Sequence, residues 1–184
     1  MRVSAPKADD DHPPPAVASS FDGLFTAEWA RVVRTALLLV DDDASAEDVA
    51  QEAFAGLLRH WDRLDDPARA RAYLHRAVVN GARSVLRRRR TARAWTPPHD
   101  VAGPSAEELA LLGDQRREVL AAVAQLPERQ REVVVLRYWS HLDEAATAAA
   151  MGISRGTVKS TAHRALASLQ RRLQSDPSAP EGQR

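Results

Sequence analysis

The segment from Asp143 to Leu173, DEAATAAAMGISRGTVKSTAHRALASLQRRL, decides the fold of the C-terminal half of the chain. A short alanine-rich stretch ends at Gly152, a residue that suits a helix C-terminus, and Ser154 suits the N-terminus of the next helix. Asp143 is suited to cap the first helix. Two helices joined by a tight turn that contains glycine are typical of a helix-turn-helix unit. The sequence therefore predicts such a unit here.

The last helix of this segment has two chemically different faces. We expect one face to lie against the core, and it is formed by Val158, Ala162, Ala165, Leu166, Leu169 and Leu173. The other face carries polar and basic residues near the helix N-terminus, namely Arg155, Thr157, Lys159, Ser160, His163 and Arg164. A recognition helix places its base-reading residues there, and these groups suit phosphates and major-groove acceptors. The alternative is an ordinary solvated surface, and composition alone does not separate the two.

Composition favours an all-α protein. Only 5% of the 184 residues are aromatic, and β-branched residues are sparse beside Ala, Leu and Arg. The absence of cysteine excludes disulfides and thiolate metal sites. No cofactor-binding loop or catalytic constellation is recognisable, so we expect no cofactor and no enzymatic activity. No apolar run has the length of a membrane span, and the acidic, proline-rich N-terminus is unlike a secretory signal, so we expect a cytoplasmic protein without membrane insertion.

Breaks in the helical pattern divide the chain into two small helical domains. The predicted parts are a disordered tail (1–19), a first domain (20–92), a flexible linker (93–104), a second domain (105–174) and a second tail (175–184). Adjacent prolines and a Gly-Pro pair interrupt any helix in the linker. The helices predicted with bounds are Phe21 to Val40, a helix capped by Ser45, about Ala68 to Arg89, a helix opened by the capping signal Ser105 to Glu108, and Glu128 to Trp139.

Charge is distributed unevenly along the first domain. Four consecutive arginines, Arg87, Arg88, Arg89 and Arg90, follow Asn80 and Arg83. Such a run is commonly a solvated helix end, but because like charges repel unless an anion lies nearby, we favour contact with a polyanion. The helix after Ser45 shows the opposite sign, with Asp48, Gln51 and Glu52 on its outer face. This face indicates a basic protein partner, or else carboxylates placed at a helix N-terminus by its dipole.

Three stretches resemble bacterial RNA polymerase sigma factors. ASAEDVAQEAFAGLLRHWDRL (Ala44 to Leu64) resembles conserved region two, and ARAYLHRAVVNGARSVLRRRR (Ala70 to Arg90) resembles its promoter-melting continuation. LPERQREVVVLRYWSHLDEAATAAAMGISRGTVKSTAHRALASLQRRL (Leu126 to Leu173) resembles region four. Because only a linker separates regions two and four, the chain resembles the extracytoplasmic-function group. Its alanine- and arginine-rich sequence is similar to the actinobacterial SigE-like subset of that group.

The resemblance implies a promoter-specificity subunit with three working surfaces. Asp48, Gln51 and Glu52 match the positions that dock on the β′ clamp of core RNA polymerase. Asn80, Arg83 and Arg87 to Arg90 match the segment that binds the melted −10 element of promoter DNA, and the loop around Asp65 to Arg69 matches its base pocket. Lys159, Ser160, His163 and Arg164 match the residues that read the −35 element. An anti-sigma factor is a further partner that the resemblance allows.

One position departs from the family pattern. The short helix usually reads Ser-x-x-Glu, whereas here Ala146 stands in place of the glutamate. Two other functions fit parts of the chain: a stand-alone helix-turn-helix regulator, which would bind duplex DNA without polymerase, and an antagonist of the anti-sigma kind, which would not need Lys159 or Arg164.

Overall fold

The computed structural model of the chain describes residues 20–64, 66–95 and 114–174. These residues are helical and contain no strand, which confirms the predicted all-α class. The helices are α1 (Phe21–Val40), α2 (Asp43–Arg59), α3 (Pro67–Trp95), α4 (Asp114–Ala124), α5 (Glu128–Val134), α6 (Glu144–Met151) and α7 (Arg155–Gln174). A 3₁₀ turn (Trp61–Arg63) follows α2, and a π-helical segment (Val135–Trp139) continues α5. The predicted tails, linker residues 96–104, the capping signal at Ser105 and the loop residue Asp65 lie outside the described residues.

The first two helices begin at side-chain caps. Ser20 Oγ accepts a hydrogen bond from the amide of Gly23 at 3.3 Å, and α1 spans the predicted residues. The N-cap of α2 is Asp42, whose carboxylate accepts a hydrogen bond from the amide of Ser45 at 2.9 Å. The prediction that Ser45 caps this helix is therefore wrong. Aspartate and serine cap equally well, and α2 starts early because Asp41, in the left-handed region at φ 62°, already ends α1.

The third helix is longer than predicted. It begins at Pro67, where proline suits the first turn of a helix, and it continues to Trp95 because no helix-breaking residue comes before Pro97. Asp66 accepts a hydrogen bond from the amide of Ala68 at 2.8 Å at its start. Residues 93–95, which the sequence assigned to the linker, are thus helical.

Helices α1, α2 and α3 enclose the first part of the core. Fully buried leucines and valines fill the space between them, namely Leu24, Leu39, Leu57, Leu74, Val78 and Val79. An aromatic cluster closes one end, where the rings of Phe25 and Phe54 have centroids 4.9 Å apart. Glu28 is buried and accepts a 2.7 Å hydrogen bond from Arg71, which ties α1 to α3.

The remaining helices form the second part of the core. The predicted helix from Glu128 to Trp139 is confirmed as one continuous helical segment, with a π-turn over its last five residues. The wider turn ends where the amide of Ser140 donates to the carbonyl of Val135 at 3.0 Å. The buried residues around it are Val123, Leu126, Val133, Leu136, Val158 and Ala165.

The two groups of helices pack against each other. Helix α3 contacts α6, and α1 contacts the π-helical segment, so that the buried apolar residues of both groups form one cluster. At this contact the hydroxyls of Thr35 and Ser140 are 3.0 Å apart, and both residues are buried.

Candidate nucleic-acid interface

The C-terminal helix pair has the geometry of a helix-turn-helix. Asp143 accepts a hydrogen bond from the amide of Ala146 at 2.7 Å and caps α6. Gly152 follows α6 in the left-handed region at φ 67°, which a side chain would strain. Ser154 Oγ accepts from the amide of Thr157 at 3.1 Å and caps α7. All three predicted caps are confirmed, and the Ala146 departure leaves the α6 cap intact.

The N-terminal half of α7 presents its polar face to solvent. Exposed side chains occupy all six positions that the sequence predicted, Arg155, Thr157, Lys159, Ser160, His163 and Arg164. The opposite face is held in the core by Val158, Thr161 and Ala165. Arg164 is extended along the helix, donating to the carbonyl of Ser160 at 3.3 Å and to Thr161 Oγ1 at 3.4 Å. The face thus offers cations and hydroxyls on one exposed surface.

One predicted core residue of α7 is wrongly placed. Leu166 is 44% exposed, whereas Thr161 is buried. At about 100° per residue, Leu166 lies about 80° from Val158 around the helix axis, and Thr161 lies about 60° away on the other side. The buried face of α7 therefore extends from Val158 toward Thr161 and not toward Leu166, so that it includes a threonine where a leucine was predicted.

Arg83 turns away from solvent and into the contact between the two groups of helices. Its guanidinium donates to both carboxylate oxygens of Glu132, at 2.6 and 2.8 Å, and to the carbonyl of Met151 at 3.2 Å. Hydrogen bonding to Glu132 raises the pKa of Arg83 above its ordinary value, although burial acts against this. Asn80, one turn earlier on α3, is exposed. The two residues, which the resemblance assigns to the same −10 segment, thus have different surroundings.

The run of four arginines, Arg87 to Arg90, also divides into two kinds. Arg89 donates to the carbonyl of Val40 at 2.6 Å, to Ser45 Oγ at 2.8 Å and to the carboxylate of Asp42. Arg90 lies 3.1 Å from the carboxylate of Glu128. Arg87 and Arg88 are exposed. The anions that such a run requires are therefore supplied in part by carboxylates of the chain itself, which sequence reasoning did not anticipate.

The acidic face of α2 is exposed as predicted. Asp48, Gln51 and Glu52 point outward, while Val49, Ala53 and Phe54 hold the opposite side of the helix in the core. Leu58, 55% exposed, continues the same outer face one to two turns further along. This surface combines carboxylates with an apolar residue, which suits a protein partner better than DNA.

Sequence reasoning missed the carboxylates that hold the two groups of helices together. Glu132 is 3% exposed, and Arg131 bonds to the carboxylate of Asp41 at 3.0 Å. The one signal in the sequence is that Glu132 directly precedes a run of four apolar residues, VVVL, and so lies beside a buried stretch. That signal does not name its partner, Arg83, which is 49 positions away in the chain.

Other kinds of site are not supported within the described residues. They contain no group of three or more His, Cys, Asp or Glu side chains arranged to hold a metal ion. None of the helices in that part of the chain is long and apolar enough to cross a membrane.

Two family models match the two groups of helices. The model for sigma-70 region 2 matches residues 24–92, and the model for sigma-70 region 4 matches residues 116–169. Both halves of the chain thus have the architecture of sigma-70 factors, which are transcription regulators rather than catalysts.

Two sigma factors are similar to this chain in sequence over most of their length. The RNA polymerase sigma-E factor of Streptomyces coelicolor is 40% identical over 147 residues, covering 77% of this chain and 79% of the relative. The ECF RNA polymerase sigma factor SigL of Mycobacterium tuberculosis H37Rv is 33% identical over 170 residues, covering 86% and 92%. The chain belongs to the extracytoplasmic-function group of sigma-70 factors, and the alternative of a stand-alone regulator is not favoured.

Solved structures agree with this assignment. CnrH, in complex with the cytosolic domain of CnrY, is 27% identical and aligns with a TM-score of 0.63 over 85% of this chain and 88% of its own. The sigma factor RpoE of Bartonella quintana, in complex with the anti-sigma factor NepR, has the same fold, with a TM-score of 0.68 over 85% of this chain and 98% of its own at 22% identity. The predicted family and function are therefore confirmed.

Proposed function

We propose that the three exposed surfaces divide the work of a sigma factor among them, with the acidic face of α2 binding core polymerase and the basic faces of α3 and α7 binding promoter DNA. The observation that carries this division is the separation of charge: exposed carboxylates gather on α2, whereas α3 and α7 expose cations and contain no carboxylate. A surface of one sign favours partners of the other sign and repels its own.

The polymerase surface consists of Asp48, Gln51 and Glu52. All three side chains are exposed and none belongs to the core, so they are free to meet a basic partner such as the β′ clamp helices without disturbing the fold. Such action takes place in the cytoplasm, where polymerase and promoter are found.

The −35 surface consists of the exposed residues of α7. Arg155, Lys159 and Arg164 supply charge for the phosphate backbone, while Ser160 and His163 supply groups for base edges. Thr157 lies beside the Ser154 cap, its Oγ1 2.8 Å from Ser154 Oγ, and helps to fix the first turn that enters the groove.

The −10 surface runs along α3. Asn80, Arg87 and Arg88 are exposed along it, and Arg83, Arg89 and Arg90 lie on the same helix in ion pairs with carboxylates of the chain. Melting extrudes a base at a cost of a few kcal/mol, and cations along the strand offset that cost. Domain 20–92 then serves the −10 element and the polymerase, domain 105–174 serves the −35 element, and residues 93–104 connect them.

An anti-sigma factor is a further proposed partner. Both solved neighbours are bound to a second protein, and in one of them a sigma factor is bound to an anti-sigma factor. The similarity of CnrH over most of its length supports the presence of an equivalent binding surface on this chain.

Transcription from random templates tests the proposed function and does not require a known promoter. The chain is combined with core RNA polymerase of Streptomyces coelicolor and a pool of linear DNA with a random segment, and transcript 5′ ends are sequenced. We expect two shared sequence motifs upstream of the transcription start sites, near positions −10 and −35. Asp48→Ala with Gln51→Ala should abolish core binding and transcription, whereas Asp22→Ala, which removes an exposed carboxylate from α1, should change neither. Transcription start sites with no shared upstream motif would contradict the proposal.

A further inference from the structure

The two groups of helices are joined by ion pairs that use residues of the proposed −10 surface. Arg83 binds Glu132 through two hydrogen bonds of 2.6 and 2.8 Å, and the carboxylate is buried. Seven residues further along α3, Arg90 lies 3.1 Å from Glu128. Both carboxylates are on α5, one turn apart. Two arginines of α3 are thus paired with two carboxylates of α5: Arg83 in a largely buried pair, and Arg90, whose side chain is 66% exposed, in a surface pair.

These carboxylates pair with the same guanidinium groups that would donate to the phosphates of DNA. The guanidinium fork of arginine binds carboxylate and phosphate in the same bidentate geometry. Arg83 has a further hydrogen bond, to the carbonyl of Met151 at 3.2 Å, which leaves less of its guanidinium for another acceptor. In contrast, Arg89 donates to the carbonyl of Val40 and to the carboxylate of Asp42, both within the first group of helices.

The packed arrangement is also incompatible with holding both promoter elements. Their names place them roughly 25 base pairs, or about 85 Å, apart at 3.4 Å per base pair. Here Met151, the last residue of α6, contacts Arg83 directly, and α7, which follows within four residues, is only about 30 Å long. The two groups of helices must therefore separate before both elements can be bound.

We propose that α5 is an intramolecular inhibitor of promoter binding, in which Glu132 and Glu128 occupy Arg83 and Arg90 in place of the DNA backbone. The inhibition rests on the proposed function, because it requires these two arginines to contact DNA. Two further contacts hold the same arrangement: Arg131 with Asp41 at 3.0 Å, and the Thr35 and Ser140 hydroxyls.

The arrangement leaves the proposed polymerase surface accessible. Asp48, Gln51 and Glu52 are exposed while Arg83 and Arg90 are paired. Core polymerase can therefore bind the closed chain first, and the two groups of helices separate afterwards. The free chain is thus kept from binding DNA non-specifically through the −10 arginines until polymerase is present.

The first test neutralises the two carboxylates in the full chain. Because the chain has no cysteine, Ala72→Cys on α3 and Ala149→Cys on α6, both exposed, accept a pair of fluorescent labels. In Glu128→Gln with Glu132→Gln, we expect energy transfer between the labels to fall. The same variant should bind a 20-nucleotide single-stranded DNA of mixed sequence at least fivefold more tightly, measured by anisotropy in 50 mM NaCl. Glu47→Gln with Glu118→Gln removes the same charge from positions outside α5 and should change neither reading.

The readings separate the inhibition from the proposed function. Unchanged energy transfer would overturn the closure by these carboxylates and would leave the proposed surfaces untouched. Reduced energy transfer with unchanged DNA affinity would overturn the inhibition, because it would show that the released arginines do not bind DNA.

A second variant closes the interface covalently and does not disturb the ion pairs. Thr35→Cys with Ser140→Cys replaces two hydroxyls 3.0 Å apart, a separation that suits a disulfide after small adjustment. We expect the oxidised protein to bind core polymerase normally but to lose single-stranded DNA binding and transcription, and reductant should restore both. Thr35→Cys alone is the control. Equal DNA binding by the oxidised and reduced forms would overturn the proposal.

Discussion

The proposed −35 surface predicts that Arg164 and Arg171 differ sharply in function although they have similar local surroundings. Arg164 donates to the carbonyl four residues before it at 3.3 Å and to the hydroxyl three residues before it at 3.4 Å. Arg171 makes the equivalent bonds, to Ala167 and Ser168, at the same two distances. Both side chains are exposed on α7. Replacing either by alanine therefore removes a matched pair of hydrogen bonds within the helix.

The difference between the two variants then measures the DNA contact. Exposed hydrogen bonds of this kind contribute little to stability, so the free energy of unfolding should change by less than about 0.5 kcal/mol in each variant. If Arg164 makes a base or bidentate contact, Arg164→Ala should weaken promoter binding by about 1 to 3 kcal/mol, or about 5- to 150-fold. Arg171 lies two turns further along the helix, away from the end that enters the groove, and Arg171→Ala should have almost no effect.

The assay is binding of holoenzyme to a promoter obtained from the random-template pool, at several salt concentrations. A lost phosphate contact lowers affinity for all sequences and reduces the salt dependence by about one unit of slope, whereas a lost base contact relaxes specificity at one position. Equal effects of Arg164→Ala and Arg171→Ala would refute the assignment of the N-terminal half of α7 to the −35 element.

Three further predictions concern stability, each measured by chemical or thermal unfolding. Gly56→Ala should lower the free energy of unfolding by about 1 to 3 kcal/mol because the new Cβ would lie 2.5 Å from the hydroxyl of Tyr73 on α3. At Gly156 a new Cβ would meet only Ser154 Oγ, in ordinary contact at 3.9 Å, and Gly156→Ala should raise the free energy of unfolding by about 0.5 to 1 kcal/mol. Burial lowers the pKa of His75, so the unfolded chain binds its proton first, and stability should fall as the pH drops through about 6.5 more steeply than in His75→Gln. Glu132→Leu should cost about 3 kcal/mol by leaving Arg83 unpaired, and adding Arg83→Met should recover most of that loss.

The helix-turn-helix was predictable from sequence because its determinants are local. Asp143, Gly152 and Ser154 each act on backbone groups within a few residues, and each does so in the structure. Ser45 shows the limit of this reasoning. Asp42 and Ser45 both have side chains that can cap a helix, and in the structure Asp42 is the cap. The Ser45 hydroxyl instead accepts a hydrogen bond from Arg89 on α3.

The surroundings of the basic residues were not predictable, because they depend on contacts between distant parts of the chain. Periodicity places Asn80 and Arg83 on one stretch of α3 but does not show that α5 covers the second and leaves the first exposed. Similarly, the run from Arg87 to Arg90 reads as one patch, whereas the structure pairs Arg89 with α2 and Arg90 with α5. A charge pattern thus predicts that an anion is present, but not whether it belongs to DNA or to the protein.

The contact between the two groups of helices combines one shared cluster of buried apolar residues with ion pairs, and the ion pairs add less resistance to separation than apolar side chains in their place would. An apolar interface of the same size would lose its full hydrophobic stabilisation on opening, since apolar side chains gain nothing from water. A buried ion pair contributes much less, because water solvates each charge once they part. Glu132 stands beside three buried valines, where a leucine would pack well, yet the position holds a carboxylate aimed at Arg83. A pair of this kind specifies one closed arrangement and adds less to the energy needed to open it than a leucine at the same position would.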